Sequence, residues 1–212
     1  MNERILVHCC CGPCATSSIQ RLLDEGFEPV LCYGNSNIWP KEENEKRFGE
    51  LLKVADYYDA CAPMERPLEV HRLDYDHDAW RAFVKGLEDE PEHGARCLRC
   101  FEFNLRETCR KAKELGIGRF TTTLTVSRFK RSQSIFDVGD AFEGFERIDF
   151  KKRDGFARSV EMSKALGLYR QQYCGCEFSL AGCGSSDRPA KACMACNESP
   201  VADGAAGGRP VK

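Results

Sequence analysis

The chain is most constrained by its first dozen residues. Ile5-Leu6-Val7 is a short apolar run, and it meets His8-Cys9-Cys10-Cys11-Gly12-Pro13-Cys14, four thiols in seven residues. A run of this length bounded by Gly-Pro reads as a buried strand that ends in a sharp turn. Residues 15–25 then read as a helix with Ile19, Leu22 and Leu23 on one face and Gly26 as its stop. The thiols therefore lie on a strand-to-helix turn, the place where open α/β sheets bind ligands. A nucleotide-binding chain would put glycines there, and this one puts sulfur.

The same alternation continues. Residues 28–33 read as a strand and 41–58 as an amphipathic helix with Phe48, Leu51, Leu52 and Ala55 inward. Residues 68–73 read as a third strand. Residues 78–87 read as a helix burying Trp80, Phe83 and Val84. Cys97-x-x-Cys100 opens a helix running to about Leu115, a position that predicts stabilised thiolates. Strands over 120–124 and 145–150 and helices over 132–142 and 156–166 complete the pattern. The expectation is α/β: a mostly parallel sheet with helices on both faces.

Two regions are expected. Residues 1–182 form an α/β domain. Residues 183–212, rich in Gly, Ala, Ser and Pro, read as a disordered tail carrying Cys193-x-x-Cys196. No apolar run approaches membrane-span length and no signal-peptide core opens the chain, which predicts a cytoplasmic protein without a membrane partner.

Fourteen cysteines are far too many for an ordinary chain of 212 residues. Their local clustering does not resemble a disulfide framework, and in a reducing compartment it favours metal or redox chemistry. Cys10, Cys11, Cys14, Cys97, Cys100, Cys174 and Cys176 are the candidate ligands. One structural zinc needs four, and an ordinary iron–sulfur cluster also takes four. The surplus holds a second metal, forms a redox disulfide, or stays inert. Side chains of neighbours on an extended chain diverge, so Cys10 and Cys11 are expected not to share one ion. Cys9, Cys32, Cys61 and Cys109 read as buried small apolar groups, and His8 as a structural histidine.

Charge is uneven. Residues 1–95 carry 10 Lys/Arg against 19 Asp/Glu, and residues 96–172 carry 17 against 10. The basic part can form an anion-binding face.

Taken in order, the motifs resemble the QueH-type epoxyqueuosine reductases over roughly residues 4–182. They are His8-x-Cys10-Cys11-Gly12-Pro13-Cys14, Asn37-Ile38, Glu45-Lys46-Arg47, Cys97-x-Arg99-Cys100, Thr121-Thr122-Thr123-Leu124, and the run from Leu168 through Cys174-Gly175-Cys176 to Ser179. The resemblance implies a fold like that of the adenine-nucleotide α-hydrolases (the HUP class). It implies reduction of the epoxide of epoxyqueuosine, at the wobble position of tRNA, to queuosine. It also implies a 4Fe–4S cluster with a second iron beside it, an external electron donor of ferredoxin or flavodoxin type, and no ATP.

On this pattern Cys10, Cys11, Cys97 and Cys100 are metal ligands, and Cys174 and Cys176 are either further ligands or a redox-active pair. Cys14 falls where some relatives have Asp. Ser127-Arg128-Phe129-Lys130 stands where the family usually reads Ser-Pro-Tyr-Lys. With tRNA as substrate, Arg128, Lys130, Arg131, Lys151, Lys152 and Arg153 are expected phosphate contacts, and Phe129 a base-stacking residue.

The rivals are a zinc or iron–sulfur binding module, a thiol–disulfide oxidoreductase, and an ATP-dependent tRNA thiolase of related fold. The thiolase needs a Ser-Gly-Gly-x-Asp-Ser loop where this chain has Cys10-Cys11-Gly12-Pro13-Cys14-Ala15.

Overall fold

A computed structural model describes residues 2–61 and 66–179. Four parallel strands, β1 (Glu3–His8), β2 (Phe27–Tyr33), β3 (Val70–Arg72) and β4 (Phe120–Thr122), form one sheet in the order β3-β2-β1-β4. The chain steps outward from β1 to β3 and then returns to the other side of β1. The reversal opens a crevice at the carboxyl ends of β1 and β4, the switch point where open α/β sheets bind ligands. The expected fold class is the one observed.

Side-chain alternation along β1 divides the core. Ile5, Val7 and Cys9 face a cluster built with Ile19 and Leu22 of α1 (Gly12–Asp24), and Leu51, Val54 and Ala55 of α2 (Lys41–Cys61). Leu6 faces the opposite layer, with Leu105, Cys109 and Ala112 of α4 (Ala95–Glu114). A period of two on the strand meeting helices on both sides is why the run is apolar throughout. Cys9 follows the α1 side, is fully buried, and donates from Sγ to the Val7 carbonyl at 3.3 Å. It is a core residue, as are Cys32 and Cys109; Cys61 departs from expectation and is exposed.

α1 begins at Gly12 with Pro13 in its first turn, where a missing N–H costs nothing. A Cβ at Gly12 would lie 2.5 Å from the Glu50 carbonyl oxygen of α2. Only glycine lets the two helices close there, and this sets the thiol-bearing turn against α2.

Other elements are shorter than their sequence pattern predicts. α3 spans His77–Phe83 and α5 spans Ser132–Gly139, and α6 (Gly155–Ala165) closes the described fold. β4 stops at Thr122 because Thr122 turns its hydroxyl to accept from the Leu124 N–H, starting a 3-10 turn over Thr123–Val126. Residues 145–150 are not the expected strand. One bridge joins Phe145 to Phe120, and thereafter the Thr125 hydroxyl donates to the Ile148 carbonyl and accepts from the Phe150 N–H. Side-chain bonds replace the ladder.

The predicted tail, with Cys183, Cys193 and Cys196, lies outside the described residues. Among the described residues no helix is long and apolar enough to cross a membrane.

Candidate metal centre

The turn after β1 brings three thiols together. The Sγ atoms of Cys10, Cys11 and Cys14 lie within 4.8 Å of one another, and the Cys10–Cys11 separation is 3.8 Å. Four thiolates around a single ion at about 2.3 Å would sit about 3.8 Å apart. The expected divergence of Cys10 and Cys11 is therefore corrected: the chain leaves the strand at Cys10 and turns into α1, so the two side chains converge. Cys11 caps the helix and Cys14 lies in its first turn.

Protonation within this trio is unequal. Cys11 is held well below the usual thiol range, because the Cys10 and Cys14 thiols donate to it, the Cys14 backbone N–H adds a bond, and Arg47 supplies positive charge. Cys14 is pushed well up, first by its hydrogen bonds as donor to Cys10 and Cys11 and then by burial. Cys10 is pushed up to about 12, chiefly by its bond to Cys11. Gln171 Nε2 donates to Cys11 Sγ at 3.2 Å, and Thr123 Oγ1 to Cys10 Sγ at 3.5 Å.

Four more thiols gather nearby. Cys97, Cys174 and Cys176 are close enough to Cys100 for their charges to act on it, and Cys174 is close to Lys130, on which Cys10 and Cys14 also act. Cys97 and Cys100 sit in the first turns of α4, and Cys174 and Cys176 on the loop that follows α6. The Arg96 guanidinium fixes the approach to α4 by donating to the carbonyls of Leu87, Glu88 and Glu90 at 3.3, 2.6 and 2.5 Å. Ser179 Oγ donates to Glu92 at 2.7 Å and accepts from the Cys174 N–H, so the two thiol-bearing segments are tied together. All four are free thiols.

Stabilised thiolates were expected at Cys97 and Cys100, and here burial wins over the helix terminus. It raises Cys97 despite a bond from the His93 N–H at 3.2 Å, and raises Cys100 well up with help from the charges of Cys174 and Cys176. Burial likewise lifts Cys176 to about 12.

Lys130 joins the two groups. Its Nζ donates to Cys174 Sγ at 3.4 Å. Burial opposes its charge, but Cys174 and Cys10 together hold its pKa above the ordinary lysine value. A surface phosphate contact was expected at Lys130, and the ammonium instead points into the crevice. Lys151 also departs from expectation. Its Nζ donates to the carbonyls of Thr125 and Lys130 and to Ser132 Oγ at 2.9, 3.0 and 2.6 Å, which uses all three of its protons. Arg128 and Lys152 are exposed, and Phe129 is half-buried beneath the Arg128 guanidinium.

Arg47 of α2 is 2 % exposed at its side chain. It pairs with Glu43 at 2.7 Å and donates to the carbonyls of Cys174 and Tyr173 at 3.1 and 3.3 Å. Between the last two thiols, Gly175 has φ of +124°, and a Cβ there would lie 2.9 Å from Arg47 Nη1. Only glycine adopts that backbone freely. His8 is fully buried with Nδ1 2.8 Å from Thr122 Oγ1, and burial lowers its pKa to about 4, so it is neutral and structural.

A family model described as epoxyqueuosine reductase QueH matches residues 5–182. The chain belongs to the epoxyqueuosine reductase QueH family. Its relatives include the proteins named epoxyqueuosine reductase QueH from Streptococcus pyogenes, 37 % identical over 185 residues (84 % of this chain, 71 % of the relative), and from Acinetobacter baylyi, 33 % identical over 184 residues (84 % and 81 %). The Thermotoga maritima protein of that name is 34 % identical over 184 residues (83 % and 90 %).

The matched span contains every thiol of the crevice. It also contains Arg47, Thr123 and Gln171, whose residue types alone point to no task. Their only signal was a place inside the family's motifs. What they do is hold sulfur or the loops that carry it, and that is written in distances rather than in residue type.

Proposed function

We propose that this protein is an epoxyqueuosine reductase, acting on the epoxide of the modified wobble nucleoside in tRNA. Membership of the family names the activity. The observation that carries it to this chain is the convergence of the candidate thiols, with the Lys130 ammonium among them, at the switch point of the sheet.

The thiols fit a metal set larger than one ion. Cys10, Cys11 and Cys14 have the spacing of ligands to a single iron. Cys97, Cys100, Cys174 and Cys176 come from two separated segments and suit a 4Fe–4S cluster, whose ligands on different irons stand further apart. This division supports ligation by Cys174 and Cys176 over a disulfide couple, since Arg47 and Gly175 fix their loop in place. Bound there, the metals supply single electrons and a Lewis-acid position for the epoxide oxygen.

Conversion of the epoxide to an alkene breaks two C–O bonds, forms the C=C bond, consumes two electrons and two protons, and releases water. The electrons come from an external donor. Lys130 Nζ is a fixed cation beside the thiols, placed to hydrogen-bond the departing oxygen and to offset negative charge. Gln171 and Thr123 orient Cys11 and Cys10. The Pro- and Cys-filled turn leaves no glycine cradle for a triphosphate, which speaks against the thiolase.

Anaerobic reconstitution tests the reading, with iron analysis and mass analysis of nucleosides from epoxyqueuosine tRNA after incubation with a reductant. More than four irons per chain and formation of queuosine support it. A brown protein without conversion refutes the substrate, and a protein that stays colourless refutes the iron chemistry. Cys11→Ser should remove one iron and spare the cluster, and Cys100→Ser should do the reverse.

A further inference from the structure

Loop 34–40 leaves the carboxyl end of β2 on the same edge of the sheet as the thiols. It holds Trp39, which is 42 % exposed, one of two large apolar side chains open to solvent among the described residues. An exposed tryptophan on a loop would ordinarily be unremarkable, but this one is fixed. Its backbone N–H donates to the Gly175 carbonyl at 2.8 Å, and its backbone carbonyl accepts from the Tyr173 hydroxyl at 2.6 Å. Both bonds go to the loop that carries Cys174 and Cys176.

The indole is also the outer layer of an aromatic stack. It lies on the His77 ring with centroids 4.9 Å apart and planes 24° apart, and His77 lies on Trp80 at 5.3 Å and 25°. Trp80 is fully buried. His77 cannot swing away, because Nδ1 donates to the Ser36 carbonyl at 2.8 Å. The Tyr75 hydroxyl donates to the Ile38 carbonyl at 2.8 Å and fixes the residue before Trp39. One face of the indole is thus backed by protein, and the residue that carries it is tied to the loop bearing Cys174 and Cys176.

The chemistry of this surface selects its ligand. Beneath the stack Arg81 pairs with Glu177 at 3.0 Å. What is offered is a flat, pre-oriented aromatic face. Unstacked bases of single-stranded RNA loops are recognised by such faces, and ordering the platform in advance lowers the cost of binding.

We propose that Trp39 is the platform on which a nucleobase of the substrate's anticodon loop stacks, holding the modified wobble nucleoside over the thiols. This rests on the reductase reading above. It adds a substrate-positioning residue that lies outside the metal ligands and outside the basic segment 128–153.

The test uses the reconstituted full chain and its Trp39→Ala and Trp39→Phe variants. Binding is read with a fluorescein-labelled anticodon stem-loop, and turnover with epoxyqueuosine tRNA. Trp39→Ala should weaken stem-loop binding by about 10- to 100-fold, and raise KM far more than it lowers kcat. Trp39→Phe should keep most of the affinity, since a smaller ring still stacks. Because Trp80 is buried, a change in indole emission on adding the stem-loop reports Trp39 and supports the platform without any substitution.

Wild-type affinity in Trp39→Ala, with wild-type protein turning over normally, overturns the platform and leaves the reductase standing. Unchanged RNA binding with slower reduction by a protein donor, but not by dithionite, also overturns it and gives the surface to the electron donor. Wild-type protein that produces no queuosine removes the reductase reading and the platform with it.

Discussion

Arg47 is the residue whose loss should do most to disconnect the site from the fold. It is buried on α2 and bonds to Glu43 and to two carbonyls of the Cys174 loop. Replacing it with Met leaves Glu43 with the Tyr169 hydroxyl, at 3.1–3.2 Å, as a donor and takes the guanidinium bonds away from the carbonyls of Tyr173 and Cys174. Breaking a buried pair of this kind costs about 3–5 kcal/mol. Arg47→Lys keeps the charge but cannot reach all three acceptors, and losing part of such a network costs about 1–3 kcal/mol.

Most of this should appear as local opening, because the bonds join a loop to a helix rather than one core layer to another. The Trp39 amide, bonded to the Gly175 carbonyl at 2.8 Å, is the reporter. In metal-free protein, hydrogen exchange at that amide should quicken by about two to four powers of ten in Arg47→Met, and by about 5- to 150-fold in Arg47→Lys. Urea unfolding measures the global part separately. Cys11 should also become harder to deprotonate, so its alkylation rate should rise with pH along a curve displaced upward. Unchanged protection at Trp39 with a large global loss would refute the reasoning, since Arg47 would then support α2 and not the loop.

Other outcomes follow from the same geometry. Lys151→Met should cost about 1–3 kcal/mol in urea unfolding by removing charged donors from Thr125, Lys130 and Ser132, whereas Lys152→Glu should leave unfolding unchanged and flatten the salt dependence of tRNA binding. Gly175→Ala forces a Cβ toward Arg47 and a strained backbone, so iron content after reconstitution should fall while the melting temperature moves little. Burial holds Cys97, Cys100 and Cys176 protonated at neutral pH, so metal loading must expel protons. Weakly buffered protein should acidify its medium on loading, and iron retention under a chelator should weaken as pH falls.

How legible the site was depended on distance along the chain. The strand-to-helix turn at residues 8–14 could be read directly, because an apolar run, Gly-Pro and a periodic helix are local signals that the fold keeps. The parallel α/β class followed from alternation repeated over the chain. Strand order could not follow, since which strand flanks β1 depends on how the crossovers pack, and only the packed sheet shows β4 returning to its far side.

The thiols themselves were visible as residue types, but their convergence was not. Cys10 and Cys11 were expected apart because strand geometry was extended one residue too far, and the turn into α1 brings their sulfurs to 3.8 Å. Charge was the least legible. Composition marks Lys130 and Lys151 as cations of a basic segment, and both read alike. Tertiary structure sends one ammonium to the thiols and the other to backbone carbonyls, because a long flexible side chain goes where unpaired acceptors lie. Sequence therefore determined which chemistry the chain carries and on which turn it starts. The tertiary structure decided which sulfurs meet, which thiol is charged, and which cations are spent inside the fold, since each of these depends on burial and on partners that only the folded chain brings within reach.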